Sequence, residues 1–83
     1  MWVYVIESRN WTGRRYVGLT ASPRIRIGQH NAGEVKHTAR YRPWALVAAI
    51  WLADRTAARE FEAYLKSGSG SSFARRHFLA PPT

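Results

Sequence analysis

The connection between the first two apolar stretches constrains this chain more than any other feature. Trp2 to Ser8 and Arg15 to Thr20 are rich in aromatic and β-branched residues and read as β-strands. Only a turn around Asn10-Trp11-Thr12-Gly13 separates them, with Gly13 supplying a permissive backbone. So short a link cannot return the chain to begin a parallel strand, so the two must pair antiparallel. Alternation then puts Trp2, Tyr4 and Ile6 on one face of the first strand, and Tyr16, Gly18 and Thr20 on one face of the second. With the turn centred near Asn10 or Trp11, Tyr4 falls opposite or diagonal to Tyr16. Two phenols then meet beside a glycine that leaves room for a ligand. The plainer account of such a pair is packing.

Ser22-Pro23 signals the start of a helix, the serine as cap and the proline in the first turn. The helix runs to about His30, and Asn31 and Gly33 end it. A polar, basic loop follows from Glu34 to Pro43. Trp44 to Leu52 is apolar throughout and reads as a third strand buried on both faces. Asp54 caps a second helix that continues to about Lys66. Ser67-Gly68-Ser69-Gly70-Ser71 reads as a turn, after which Ser72 caps a short helix through Leu79, ahead of Pro81-Pro82. The order β-β-α-β-α-α implies an α/β chain of the α+β type, with a small three-stranded antiparallel sheet flanked by helices.

Its 83 residues suit one domain over 1–83, with a short disordered tail at 80–83. The absence of cysteine excludes a disulfide scaffold and a thiolate zinc site, and fits a reducing cytoplasm. No stretch approaches the roughly 20 apolar residues that cross a bilayer. The N-terminus lacks a basic region followed by an apolar one. The expectation is a soluble, cytoplasmic protein with no membrane partner.

Thirteen Lys and Arg against five Asp and Glu give a formal charge of +8. Such an excess commonly marks a polyanion partner, and the arginine bias favours phosphate, which guanidinium matches in geometry. A solubility charge or affinity for acidic membranes is the blander reading. The small size and the lack of an amphipathic basic helix favour nucleic acid.

Three constellations could carry chemistry. On the second helix, Ala58, Phe61 and Leu65 form the stripe that packs on the sheet, and Glu62 lies within or beside it, whereas Glu60 points away. A carboxylate at the edge of a core is costly unless paired or metal-bound. Pairing with Arg59 or Lys66 along the helix is the alternative. The second constellation is the tyrosine pair. The third is Arg26 and His30, four apart on one helix face, either a phosphate grip or a solvated surface.

Together these features resemble the GIY-YIG nucleases, in particular the small stand-alone members. Val3-Tyr4 followed by Tyr16-Val17-Gly18 is similar to the paired motif that names the family. The similarity continues through Thr20, Arg26-Ile27, His30-Asn31 and Gly33, His37-Thr38, Arg42-Pro43-Trp44, and Glu62 four residues before Lys66. Trp2 and Val3 replace the glycine and isoleucine of the family name. Pro23 and Gly28 stand in the first helix where good helix formers are more usual, and Gly28 costs it about 1 kcal/mol relative to alanine.

The resemblance implies a metal-dependent endonuclease that hydrolyses DNA phosphodiester bonds, nicking at particular structures or damage, as in repair or recombination. Glu62 would be the sole protein carboxylate on one Mg²⁺ (or Mn²⁺), an ion that keeps waters and takes substrate oxygens. Arg26 would neutralise charge growing on the phosphate. Tyr4 and Tyr16 would orient the attacking water. A free tyrosine has a pKa of about 10, so a phenol acting as base needs a nearby cation or metal-bound water. His30 would supply charge or take the proton. Arg14, Arg15, Lys36, His37, Arg40, Arg42, Arg75 and Arg76 would hold DNA, chiefly through its phosphates. Trp11 and Tyr41 are candidates to stack on an unpaired base, with turn packing as the alternative. His37 and Thr38 could also serve only to shape the loop.

Two further function classes stay open: a nucleic-acid-binding module that keeps the fold without catalysis, and a domain that recruits a protein partner. His30, His37 and His77 lack the close spacing of a zinc site, and Ser67 to Ser72 lacks a hydrolase nucleophile motif.

Overall fold

Strand β1 (Trp2–Ser8) takes the middle of the sheet because it alone carries buried residues on both faces, Val3 through Ile6 without a break. It pairs antiparallel with β2 (Arg15–Thr20) on one side and β3 (Trp44–Trp51) on the other. The structure, a computed structural model, describes residues 1–78. Three helices complete it: α1 (Pro23–Asn31), α2 (Arg55–Lys66) and α3 (Gly68–His77), with one 3₁₀ turn at Ala39–Tyr41. The expected element order and antiparallel sheet are therefore present, with the 3₁₀ turn added inside the basic loop.

Alternation along β1 divides the interior in two. Val3 and Val5 pack with Ala58 and Leu65 of α2 and Ala74 of α3. Tyr4 and Ile6 face the other way and pack with Trp44, Tyr16, Tyr41 and Ile27 of α1. The hairpin register pairs Tyr4 with Gly18 and Ile6 with Tyr16, so the two tyrosines are diagonal neighbours, as alternation predicts.

Local chemistry fixes α1. The Ser22 hydroxyl accepts from the Ile25 amide at 3.4 Å, and Gly33 leaves the helix at φ +80°. The Asn31 side chain then joins the helix to the sheet. Its Oδ1 accepts from the Trp44 amide at 2.6 Å, and its Nδ2 donates to the Trp44 carbonyl at 3.1 Å. On α2, Asp54 accepts from the Thr56 amide at 3.1 Å, and Ala58 and Leu65 are buried with Phe61 beside them.

Two expectations fail. Ser67 to Ser71 is not a turn: Ser67 accepts from the Gly70 amide at 3.1 Å and caps α3, whose first turn is Gly68 to Ser71. Ser72 lies inside that helix. Gly70 is buried where α3 meets α2, and a Cβ there would collide with the Tyr64 carbonyl. The glycine serves close helix approach, which composition alone does not separate from turn-making. Nor is β3 buried on both faces. As an edge strand it leaves Leu46 at 45 % and Trp51 at 56 % exposure, and it ends one residue before Leu52. The expected end of α3 at Leu79 and the tail at 80–83 lie outside the described residues. No helix among those described is long and apolar enough to cross a membrane.

Candidate active site

Tyr4 is 1 % exposed, so its hydroxyl must find a partner inside the protein. Gly18 opposite makes room for the ring: a Cβ there would sit 2.5 Å from the Tyr4 oxygen. The space expected to admit a ligand beside the glycine is thus filled by the Tyr4 phenol itself. That phenol meets His30 Nε2 at 2.8 Å, and His30 Nδ1 meets Thr38 Oγ1 at 2.7 Å. Thr38 in turn donates to the Val35 carbonyl at 3.2 Å.

The Val35 carbonyl can only accept, and with the Thr38 proton directed to it the chain runs one way. Thr38 spends its single proton on Val35, so its oxygen accepts from a protonated Nδ1 of His30. The Nε2 lone pair is then free to accept from Tyr4. All three side chains are buried, and Trp44 Nε1 donates to the Thr38 carbonyl at 3.0 Å, holding the loop in place.

The electrostatics agree. Burial, with the positive charge of Arg26 and the nearness of His37, lowers the His30 pKa to about 4. At neutral pH the ring is uncharged, as its role of acceptor from Tyr4 requires. Of the two roles open to His30 from sequence, a source of charge is the one its burial disfavours. Burial also raises the Tyr4 pKa; Arg26 opposes the rise, while Tyr16 and Glu62 add to it. Tyr4 is therefore a protonated phenol.

Tyr16 is the half-buried member of the pair, the one solvent reaches. Its ring centroid lies 6.2 Å from that of Tyr4, 5.1 Å from His30 and 5.4 Å from His37. Lys66 of α2 brings its Nζ to 5.8 Å from the same ring. This lysine also bridges to Glu62 Oε2 at 3.2 Å, so the helix-surface pairing is present with Lys66, whereas no bridge to Arg59 forms. Glu62 is half-buried, at 23 % exposure, and Glu60 is exposed, as periodicity predicts. Arg26 is half-buried, with Nη1 on Gln29 Oε1 at 2.9 Å. One aromatic cluster thus gathers Tyr4, Tyr16, His30 and His37, with Arg26 and the Glu62–Lys66 pair at its margin.

The model of the GIY-YIG catalytic domain matches residues 1–76. The chain belongs to the GIY-YIG family. Comparison with curated proteins and with solved structures gives no match. The GIY-YIG family is one of nucleases acting on DNA, and its members generally depend on a divalent metal. Among the described residues of this GIY-YIG domain, no three His, Asp or Glu side chains cluster as a metal cage. The donor set nevertheless fits Mg²⁺, which takes one or two carboxylates and keeps waters. Lys66 sits 3.2 Å from Glu62 Oε2, so a metal ion at Glu62 would compete with the lysine for the carboxylate.

The residues expected to hold DNA are spread more widely. Arg14, Lys36, His37, Arg40, Arg42, Arg75 and Arg76 are exposed and Arg15 is half-buried. His37 departs from the rest of its loop by packing on Tyr16. Arg14 lies 4.3 Å over the Tyr41 ring, and Arg40 is 5.7 Å from Tyr41 and 5.9 Å from Trp11. Trp11 and Tyr41 meet edge to face at 5.4 Å, the packing alternative for both. Ser8 ties these segments together, donating to the Tyr41 carbonyl at 2.5 Å and accepting from the Trp11 amide at 3.1 Å. Arg75 and Arg76 sit on α3, where Arg75 donates to Ser72 at 3.2 Å. Sequence reasoning placed Asn31 at the helix end and paired Lys66 with Glu62 but assigned neither a part in the site, and it matched Thr38 to the family without its bond to His30. The available signal was a small polar residue spaced to face a buried imidazole.

Proposed function

We propose that this chain is a metal-dependent endonuclease that hydrolyses DNA phosphodiester bonds, nicking at irregular or damaged structures in repair or recombination. The observation that supports this best is the satisfied Tyr4–His30–Thr38 chain behind the half-exposed Tyr16. An apolar core would hold the sheet at lower cost, so such a buried polar network points to chemistry.

Glu62 holds one Mg²⁺ (or Mn²⁺), and the ion supplies Lewis-acid polarisation of the phosphate when bound. Arg26 neutralises charge that grows on the phosphate oxygens. Tyr16 orients the attacking water. Tyr4 and His30 fix the cluster from behind, and burial keeps the Tyr4 phenol protonated as the donor to His30. Arg14, Arg15, Lys36, Arg40, Arg42, Arg75 and Arg76 hold backbone phosphates, and the protein acts in the cytoplasm on DNA. A second reading, a binding or partner-recruiting module without catalysis, draws on the Glu62–Lys66 bridge, which gives the carboxylate a partner other than metal.

Supercoiled plasmid incubated with Mg²⁺ or Mn²⁺ separates the two. Metal-dependent nicking that Glu62→Gln abolishes, with DNA affinity retained, is the expected result. Binding by both proteins with nicking by neither would favour the second reading or a more specialised substrate, which cleavage of gapped and branched duplexes then separates.

A further inference from the structure

An open groove of about 780 Å³ runs between the hairpin turn and the corner where α2 meets α3. Its floor is apolar, from Val17, Leu65 and Ala74, and its rim carries Arg14, Arg15 and Lys66. No acidic residue lines it. Trp11, packed edge to face on Tyr41 and still 46 % exposed, also lines it, as do Tyr16 and Lys66, which belong equally to the aromatic cluster.

We infer that this groove binds an unpaired DNA strand and leads it to Tyr16. Arg14 and Arg15, with Lys66 whose charge is shared with Glu62, select a polyanion. The apolar floor and the indole narrow the choice, because a duplex turns its phosphates outward and stacks its bases away from any such surface. Only an unpaired strand brings phosphates to the rim and base faces to Trp11 together. The inference rests on the nuclease reading for the strand's destination, but not for its binding. It gives the substrate a single-stranded arm or gap beside the scissile bond.

Fluorescence anisotropy in EDTA tests this without cleavage, using a short labelled oligothymidine and a blunt duplex of equal length. The oligothymidine binds more tightly, and Trp11→Ala weakens it by roughly tenfold, the loss expected of one stacked base, while duplex affinity is unchanged. Trp51→Ala, which removes an exposed indole on the far edge strand, leaves both affinities at the wild-type value. Trp11→Phe keeps an aromatic face and retains most of the single-strand affinity, which separates stacking from damage to the turn. Equal or tighter duplex binding overturns the inference, as does equal weakening of both ligands by Trp11→Ala. Either result leaves the nuclease reading standing if plasmid nicking still depends on Glu62. Conversely, single-strand preference with no Glu62-dependent cleavage of a gapped or flapped duplex in Mg²⁺ keeps the groove and removes the nuclease.

Discussion

Val3 and Val5 meet α2 and α3 through wholly apolar contacts, whereas Tyr4, between them on the same strand, reaches His30 on the opposite face by a hydrogen bond. The two faces of one strand therefore follow different rules. Apolar burial is undirected, so the side chains on the α2–α3 side tolerate apolar replacements of similar volume. The aromatic side depends on who donates to whom: among the described residues, every buried side-chain nitrogen and oxygen has a partner. Removing one member there orphans the next.

That contrast can be broken by mutation. Leu65→Ala empties the apolar side and is expected to cost about 2–5 kcal/mol in urea unfolding. His30, on the aromatic side, gives a pH effect instead. Its pKa is 6.5 unfolded and about 4 folded, so below pH 6.5 the unfolded chain takes up a proton that the folded one refuses. Stability from this group is complete above pH 6.5, declines as pH falls toward 4 and then levels. The total is about 3 kcal/mol, and His30→Phe should flatten that slope.

Thr38→Val leaves Nδ1–H of His30 without an acceptor and should cost about 1–3 kcal/mol. Thr38→Ser restores the hydroxyl and most of the stability, and the imidazole ¹⁵N shifts should report the tautomer. Gly28→Ala is the smallest change. The position is exposed with no atom near a Cβ, so alanine should stabilise α1 by about 0.5–1 kcal/mol and leave the aromatic cluster unaltered. A thermal melt reads this directly.

Much of this organisation is legible in the sequence. The short turn dictates the hairpin, alternation pairs Tyr4 diagonally with Tyr16, and helical period separates Glu62 from Glu60. These are local rules with fixed geometry. What escapes them depends on tertiary packing. Gly70 looks like a turn residue until a second helix lies against it, and β3 looks doubly buried until its edge position is known. Thr38 acquires meaning only because the loop folds back onto His30, eight residues away. The Gly18 gap could be foreseen, but not that Tyr4 would fill it.

The claim that the aromatic face carries the chemistry is tested most directly by Mg²⁺-dependent plasmid nicking with Tyr16→Phe. This change keeps the ring against His30 and His37 and removes only the hydroxyl. A fall in rate of about 100-fold or more, with an unchanged melting temperature, is the predicted result. Nicking at the wild-type rate by a normally folded Tyr16→Phe protein would contradict the account.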